Sequence, residues 1–324
     1  MTPTVFITGG SGFVGFHLIH ELLQQGYKVV AAIRKSSDIS HLANLDIQFV
    51  YPDFRNKESL AKALAILQVT HIVHVAGMTK GKTQDDYNYA NAIITQNLAL
   101  AAMQAGIDLQ RFVFMSSLAA MGPSFGKPLT ESDAPHPVTF YGKSKLLAEQ
   151  YLSDIPGLPF TILRPTAVYG PREKDMFIII KSVKRGVEGY ISRTKQQLSF
   201  VYVKDLVSAT ILSLQKPATH KAYFVGDGHT YNQYDFSDIT KEILRKKTLR
   251  IHTGHTLVKS IAWLLEKSNP KKVHIISEDR LKELTGNWDI AIQSIQQDLG
   301  YHPAFDLKAG LKATIDWYKE NNWL

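Results

Sequence analysis

A tyrosine and a lysine stand four residues apart in the segment 141–145, Tyr-Gly-Lys-Ser-Lys. Residues at this spacing lie on one face of a helix, so the Lys145 ammonium would lie near the Tyr141 phenol. A neighbouring positive charge favours the ionised phenol, and we therefore expect it to lower the pKa of Tyr141. Such a tyrosine can exchange a proton with a substrate hydroxyl or carbonyl as a general acid/base. The structural alternative is a surface tyrosine beside a lysine.

A serine follows an apolar, strand-like run at residues 111–115. Ser117 precedes Tyr141 by 24 residues. It would lie at the carboxyl end of that strand, where parallel α/β sheets bind their ligands. There its hydroxyl could donate a hydrogen bond to the substrate oxygen that Tyr141 serves. The alternative role of a serine at this place is to cap a turn.

Glycines recur at every third position in a turn between the first predicted strand and the first predicted helix: Gly9, Gly12 and Gly15. The first permits a tight turn, the second lets the backbone approach a pyrophosphate, and the third lets the helix pack closely on the sheet. Phe13 and Val14 would offer free N–H groups at the helix N-terminus, where the helix dipole favours negative charge. This turn predicts binding of a dinucleotide cofactor.

The residues after the second predicted strand indicate which dinucleotide is bound. An acidic residue there binds the ribose 2′-hydroxyl of NAD, whereas an arginine accommodates the 2′-phosphate of NADP. The chain has Arg34 and Lys35 at this place, and no acid before Asp38. Because a guanidinium is a planar donor fork suited to phosphate, we favour NADP. The alternative is that Arg34 stacks on the adenine ring and the cofactor is NAD.

Short apolar runs alternate with helical segments through the first half of the chain, which indicates βαβ units and a parallel sheet. This rhythm breaks after Pro171, and the rest reads as mainly helical. We therefore predict an α/β fold with a Rossmann-type, doubly wound parallel sheet and a smaller, mostly helical C-terminal substrate-binding part. Residues 1–170 and about 198–226 would form the first part. Residues from about 171–197 and 227–324 would form the second, discontinuous part.

Taken together, these motifs resemble the extended short-chain dehydrogenases/reductases, the NAD-dependent epimerase/dehydratase group. The resemblance covers almost the whole chain and includes an RPxxVYGP motif at residues 164–171. By this resemblance, Ser117, Tyr141 and Lys145 are catalytic, and Lys145 also binds the nicotinamide ribose. In that group a hydride passes between C4 of the nicotinamide and a substrate carbon.

The resemblance implies further site residues around the cofactor. They are Asp53 and Phe54 at the adenine, Ala76 and Gly77 near the ribose and nicotinamide, Asn91 as the catalytic-site asparagine of the fourth helix, and Pro165 and Val168 bordering nicotinamide and substrate.

Two departures from the family's patterns indicate the branch. Sugar dehydratases place Asp-Glu after the catalytic serine or threonine, whereas this chain has Leu118-Ala119, so we do not expect dehydration. Nucleotide-sugar epimerases usually hold the diphosphate with an arginine where this chain has Leu198, although Arg193 or Lys195 could compensate. The pattern resembles the dihydroflavonol-reductase and 3β-hydroxysteroid-dehydrogenase branches. These branches act on ketones or secondary alcohols of apolar, often ring-shaped molecules.

We therefore predict an NAD(P)-dependent oxidoreductase whose substrate is a ketone or secondary alcohol. Two alternatives stay open. One is a nucleotide-sugar epimerase of the same family, and the other is a non-catalytic NADP-binding sensor or scaffold, which typically lacks the tyrosine or the lysine. The resemblance also implies a homodimer formed through the helices near residues 87–105 and 141–152.

Composition excludes several other classes. The chain has 324 residues, of which 37 are basic and 29 acidic, giving a formal charge of +8. This charge could favour an anionic ligand, or it could belong to surface side chains that meet only water. Because it has no cysteine, disulfide scaffolds and thiolate metal sites are excluded. The histidines lack metal-ligand spacing, so we expect no metal and interpret His74 as a core histidine. With no signal peptide and no apolar run of membrane-spanning length, we expect a cytoplasmic protein without nucleic-acid or membrane partners.

Two lysine-bearing segments remain ambiguous. The apolar, helix-like stretch 256–267 could rest on a membrane surface or pack over the substrate pocket as a lid, and we favour the lid. Lys80 and Lys82 could meet an acidic group of the substrate or only water.

Overall fold

A seven-stranded parallel sheet forms the centre of the computed structural model, which describes residues 2–191, 195–217, 219–254 and 283–324. Neighbouring strands follow the order β3-β2-β1-β4-β5-β6-β11, and every neighbouring pair is parallel. The strands are β1 (Thr4–Thr8), β2 (Lys28–Ala32), β3 (Gln48–Val50), β4 (His71–His74), β5 (Arg111–Met115), β6 (Phe160–Pro165) and β11 (Ala222–Val225).

The strand order reverses between β1 and β4, which are paired so that Thr8 lies opposite His74 at their carboxyl ends. From β1 the chain builds outward to β3, and from β4 it builds outward to β11. In doubly wound sheets the ligand crevice lies at such a switch point, beyond the carboxyl ends of the strands. The predicted Rossmann-type sheet is confirmed.

Helices cover both faces of this sheet and bury an apolar core on each. One face packs against α1 (Phe13–Gln24), α7 (Val203–Gln215) and α9 (Gln293–Leu299). The other packs against α2 (Lys57–Ile66), α4 (Ile94–Gln104) and α5 (Phe140–Ser153). The single helix predicted over residues 87–105 is three pieces: α3 (Gln84–Asn88), a π-helical turn (Tyr89–Ile93) and α4.

A third apolar cluster lies beyond the carboxyl end of the sheet and joins three helices to short strands. The helices are α6 (Asp175–Lys184), α8 (Asp235–Leu244) and α10 (Leu307–Glu320). The strands form pairs: β7 (Ala167–Tyr169) with β10 (Phe200–Tyr202), β9 (Gln197–Leu198) with β12 (Tyr231–Asn232), and β8 (Val187–Ile191) with β13 (Leu249–Thr253).

This part contains more strand than the sequence predicts. Residues 197–202 form two short strands, β9 and β10, because the Ser199 N–H donates to the carbonyl oxygen of Trp288 at 2.8 Å and the chain changes partner there. The strands β8 and β13 were not predicted at all. In the described part of the chain, no helix is both long and apolar enough to cross a membrane.

Candidate active site

The glycine turn after β1 has the conformation that a dinucleotide requires. Gly9 has a φ of +72°, and a Cβ atom there would lie 2.7 Å from the Ala76 nitrogen. A Cβ atom on Gly15 would overlap the carbonyl oxygen of Gly9. The helix α1 begins at Phe13 without a side-chain cap, so the N–H groups of Phe13 and Val14 are available to an anion. The turn fits a bound pyrophosphate.

The loop after β2 presents cationic side chains. Arg34 and Lys35 are exposed, whereas the first acid of the loop, Asp38, accepts a hydrogen bond from the Ser40 N–H at 3.0 Å. Asp53 is also exposed, and both of its carboxylate oxygens accept from the Arg55 guanidinium, at 2.9 and 3.1 Å. These side chains lie at the β2–β3 end of the sheet, away from the tyrosine and lysine.

A buried hydrogen-bond chain fixes the switch point. His74 joins the hydroxyls of Thr8, 2.7 Å away, and Thr95, 2.8 Å away. The Thr8 hydroxyl also accepts from the Ala76 N–H, and the Thr95 hydroxyl donates to the Asn91 carbonyl oxygen. Burial lowers the pKa of His74 to about 3, and the Lys145 charge adds to this, so its imidazole is neutral. The interpretation of His74 as a core histidine is confirmed.

The sequence-predicted serine and tyrosine come together. Ser117 follows β5 and caps a 3-10 turn (Leu118–Ala120), where its hydroxyl accepts from the Ala119 N–H at 3.1 Å. The same hydroxyl lies close enough to the Tyr141 phenol to lower the pKa of Tyr141. This contact is possible because α5 approaches the turn closely: a Cβ atom on Gly142 would overlap the Ala119 carbonyl oxygen. Ser117 therefore caps a turn, as the structural alternative has it, and lies beside Tyr141.

The expected pKa shift of Tyr141 is wrong in direction. Burial raises the pKa of Tyr141 to about 12, outweighing the hydrogen bond from Ser117, which lowers it. The Lys145 Nζ atom lies 6.0 Å from the centre of the Tyr141 ring and does not reverse this shift. The phenol is therefore protonated at neutral pH, because desolvation disfavours the phenolate more than its neighbours stabilise it.

Lys145 is buried on the inner face of α5, and its Nζ donates to the carbonyl oxygen of Met115 at 2.8 Å. Nζ also lies 4.7 Å from the centre of the Phe114 ring. Burial lowers the pKa of Lys145 to about 8, against an opposing attraction from Glu149. A Cβ atom on Gly77 would lie 3.2 Å from Nζ, so this glycine lets the loop after β4 pack closely against the lysine.

Asn91 supports the loop that carries Ala76 and Gly77. It lies in the π-helical turn, where its side-chain oxygen accepts from the Met78 N–H at 2.6 Å. Its amide nitrogen donates to the Met78 carbonyl oxygen and to the Ser144 hydroxyl, at 3.0 and 2.9 Å. Asn91 thus links the loop after β4 to the helix of Tyr141.

Two buried charges behind Lys145 were missed from the sequence. Glu149 accepts three hydrogen bonds from Arg164, and the shortest is 2.5 Å, between Oε2 and Nη2. The Ser116 hydroxyl donates to the same carboxylate. Glu149 stands four residues after Lys145, and this spacing was the available signal. Its partner on β6 could not be found from local spacing.

A cavity of about 630 Å³ opens beside Ser117 and extends toward the C-terminal part. Pro165, at the end of β6, lines it, while Val168 on β7 packs into the adjoining cores. Leu198, the residue where epimerases usually carry an arginine, also lines it. Most lining side chains are apolar, and among the described residues no lysine or arginine lines the cavity.

Other predictions fall outside the crevice or outside the described ranges. Lys80 lies 3.9 Å from Asp175, and both side chains are exposed. The stretch 256–267 lies outside the described residues. Within the described ranges, no three His, Asp or Glu side chains are grouped so that they could hold a metal ion. Phe54 is partly buried against the core on the α2 face.

A sequence model of the NAD dependent epimerase/dehydratase family matches residues 5–232. The chain belongs to this family. It is therefore an enzyme of the extended short-chain dehydrogenase/reductase type, with a site for a nicotinamide dinucleotide. The family implied by the sequence motifs is confirmed.

Three comparisons show the range of similar proteins. UDP-glucose 4-epimerase of Vibrio cholerae is 28% identical, with 99% of this chain and 97% of the relative covered. The 3-beta-hydroxysteroid dehydrogenase of Mycolicibacterium neoaurum is 27% identical, with 98% and 91% covered. The crystal structure of UDP-glucose 4-epimerase from Thermotoga maritima with UDP-glucose has a TM-score of 0.81 at 22% identity. The superposition covers 98% of this chain and 99% of the epimerase chain. At that identity the structural likeness shows the fold alone.

Proposed function

We propose that this enzyme transfers a hydride between NAD(P) and a ketone or secondary alcohol of an apolar, ring-shaped substrate. The observation that carries the proposal is the apolar cavity beside Ser117. A nucleoside diphosphate needs cationic or well-placed polar partners, and an uncompensated diphosphate in an apolar wall is strongly disfavoured. The described lining offers Leu198 instead of a guanidinium.

Catalysis in the proposed reaction rests on three side chains. Tyr141, held in its protonated form by burial, gives its phenol proton to the carbonyl oxygen as the alcohol forms. Ser117, whose hydroxyl lies beside that phenol, turns its single proton to the same oxygen and fixes its position. Lys145 binds the nicotinamide ribose and holds positive charge near the phenol. When bound, the nicotinamide supplies the hydride to the carbonyl carbon.

The proposed cofactor is NADP in preference to NAD. Arg34 and Lys35 are exposed beside the adenosine end of the turn, and they precede the first acid of the loop, Asp38. Arg34→Ala should raise the Kd for NADPH about tenfold or more and leave that for NADH nearly unchanged, since a charge-assisted hydrogen bond contributes about 1.5 kcal/mol or more. Lys28→Ala, at the opposite end of β2, is the matched control. Equal losses of affinity for NADPH and NADH in Arg34→Ala would contradict the preference for NADP.

Nucleotide-sugar epimerisation is the second candidate, favoured by the similarity to the Vibrio cholerae epimerase. Purified enzyme should be incubated with NADPH or NADP and a panel of apolar cyclic ketones and alcohols, and separately with UDP- and GDP-sugars. The proposal expects cofactor turnover with the apolar panel. Epimerisation of a sugar nucleotide without net cofactor consumption would overturn it.

We also propose a homodimer formed through α4 and α5. In support, Tyr89, Met103 and Phe140 leave large apolar side chains exposed on or beside these helices. Light scattering should give twice the chain mass of 36.3 kDa. A single 36.3 kDa species at working concentration would contradict the dimer.

A further inference from the structure

Several large apolar side chains are exposed at the mouth of the cavity. Ile178, Ile179, Val187 and Leu284 both line the cavity and face solvent, so they form its rim. Leu249 is paired with Val187 across β8 and β13, and Ile251 lies two residues further on the same face. Ile178 is 65% exposed and Leu249 67%. We call these six residues the apolar rim.

The two faces of the β8–β13 pair differ. On one face the charged side chains form ion pairs, whereas the other face exposes apolar side chains. Glu188 and Arg250 alternate with the rim residues and point to the other side, where Glu188 also lines the cavity. There Glu188 pairs with Arg250 and with Lys241 of α8, at 3.1 and 2.9 Å. Alternation along the two strands therefore separates a charged, covered face from an apolar, exposed one.

Basic residues flank the apolar rim at one end. Lys181, Lys184 and Arg185 stand at the end of α6, and Arg245, Lys246 and Lys247 precede β13. The two turns are adjacent, because the Leu249 N–H donates to the Gly186 carbonyl oxygen at 2.8 Å. In the described part of the chain none of these six cations forms an ion pair. We call them the basic turns.

We propose that the apolar rim and the basic turns bind the surface of an anionic lipid bilayer. Exposed branched side chains beside clustered lysines and arginines fit such an interface, where apolar groups enter the acyl boundary and cations meet anionic headgroups. Nucleic acid would be attracted by the basic turns but would gain nothing from Ile178, Leu249 and Ile251. This inference replaces the expectation, made from the sequence, of a protein without membrane contact.

The apolar rim lies next to the cavity, so binding to a bilayer would bring the cavity close to the lipid. Because four of the six rim residues line the cavity, docking would place this side of the cavity against the bilayer and let an apolar substrate enter directly from lipid. This route of entry rests on the proposed function. Binding to lipid itself requires neither cofactor nor substrate, so the two proposals fail in different experiments.

The test is flotation of the full chain with vesicles of phosphatidylcholine alone and of phosphatidylcholine mixed with phosphatidylglycerol. We expect binding to the mixed vesicles only, weakened by high salt. The variant K184E/R185E/K247E should lower the partition coefficient at least tenfold. The control K28E/K62E/K216E makes the same change in net charge on exposed lysines elsewhere and should keep most of the binding.

Apolar contacts are tested separately. Leu249→Ser should lower partitioning several-fold, whereas Ile66→Ser, at an 82% exposed residue of α2, should not. NADPH binding verifies that each variant is folded. Absence of wild-type binding to anionic vesicles, or equal losses in both triple variants, would overturn the proposal. Binding that duplex DNA displaces and that Leu249→Ser leaves unchanged would also overturn it, in favour of a polyanion surface.

Discussion

The Nζ atom of Lys145 donates a 2.8 Å hydrogen bond to the carbonyl oxygen of Met115. Met115 ends β5, the strand that leads directly to Ser117, while Lys145 lies one helical turn beyond Tyr141 on α5. This bond therefore joins the two elements that carry the proposed acid/base group and its serine partner. It also keeps a buried ammonium from being left without an acceptor.

Tyr141→Phe should abolish turnover while the cofactor still binds. The variant loses only the phenol oxygen, and removal of a general acid/base lowers rates by about 10²- to 10⁴-fold. Tyr87→Phe is the matched control: its hydroxyl donates to the Thr79 carbonyl oxygen and its ring meets that of Tyr141 edge-on at 6.5 Å. Steady-state turnover and NADPH fluorescence measure the two effects. Retention of most of the activity in Tyr141→Phe would place the chain among the non-catalytic cofactor binders.

Activity should fall as the pH rises through about 8. Burial lowers the pKa of Lys145 to about 8, so its amine is charged below that pH and neutral above it. The proposed mechanism uses the charged form. The pH profile of kcat/KM measures this alkaline fall in activity. A profile that stays flat to pH 10 would exclude a role for the ammonium.

The same shift predicts a pH dependence of stability. The unfolded lysine keeps its ordinary pKa of 10.5, so between pH 8 and 10.5 the unfolded state binds more protons. The contribution of Lys145 to the unfolding free energy should therefore rise with pH across this window and be lost as the pH falls through about 8. Lys145→Met should lack this rise while losing turnover. Urea unfolding at pH 7 and pH 10 compares the two proteins.

Glu149→Gln should destabilise the fold by about 3 kcal/mol, because it leaves the Arg164 guanidinium buried without its counter-charge. It should also shift the alkaline fall in activity to lower pH, since Glu149 attracts the charged form of Lys145. The double variant Glu149→Gln/Arg164→Met should recover much of the stability. If the single variant unfolds like the wild type and keeps the same pH profile, the pair has no positioning role.

Gly9→Ala should weaken cofactor binding much more than Gly26→Ala. Both glycines have a positive φ, +72° and +79°, so each alanine costs about 1 to 2 kcal/mol of conformational strain. Only at Gly9 would the new Cβ meet backbone, at Ala76, whereas Gly26 has open space. Displacing the turn should cost at least about tenfold in NADPH affinity, the value of one charge-assisted hydrogen bond. Equal affinities in the two variants would contradict the close-packed turn.

The sequence predicts well whatever depends on local chemistry. Gly9 and Gly15 are required by backbone geometry within one turn, so their role follows from spacing and from the strand–turn–helix context. Tyr141 and Lys145 share a helix face because of their spacing, and the serine at the end of β5 was placed by the ordering of parallel strands.

The sequence does not predict features that depend on contacts between segments far apart in the chain. The Tyr141 pKa depends on burial by other elements, which no neighbouring charge reveals. Arg164 meets Glu149 across two elements, and β8 meets β13 across about sixty residues of chain, so neither contact has a local signal. The strand Val187–Ile191 contains a glycine and a buried carboxylate, which weaken its β pattern.

The most direct test of the proposed chemistry uses NADPH carrying two deuterium atoms at C4 of the nicotinamide, so that transfer from either face carries deuterium. With an apolar cyclic ketone from the panel, we predict one deuterium on the carbinol carbon of the product and one NADP formed for each alcohol, both lost in Tyr141→Phe. A sugar nucleotide that epimerises with no net NADPH oxidation and no deuterium in its product, while every ketone stays unreduced, would contradict the account.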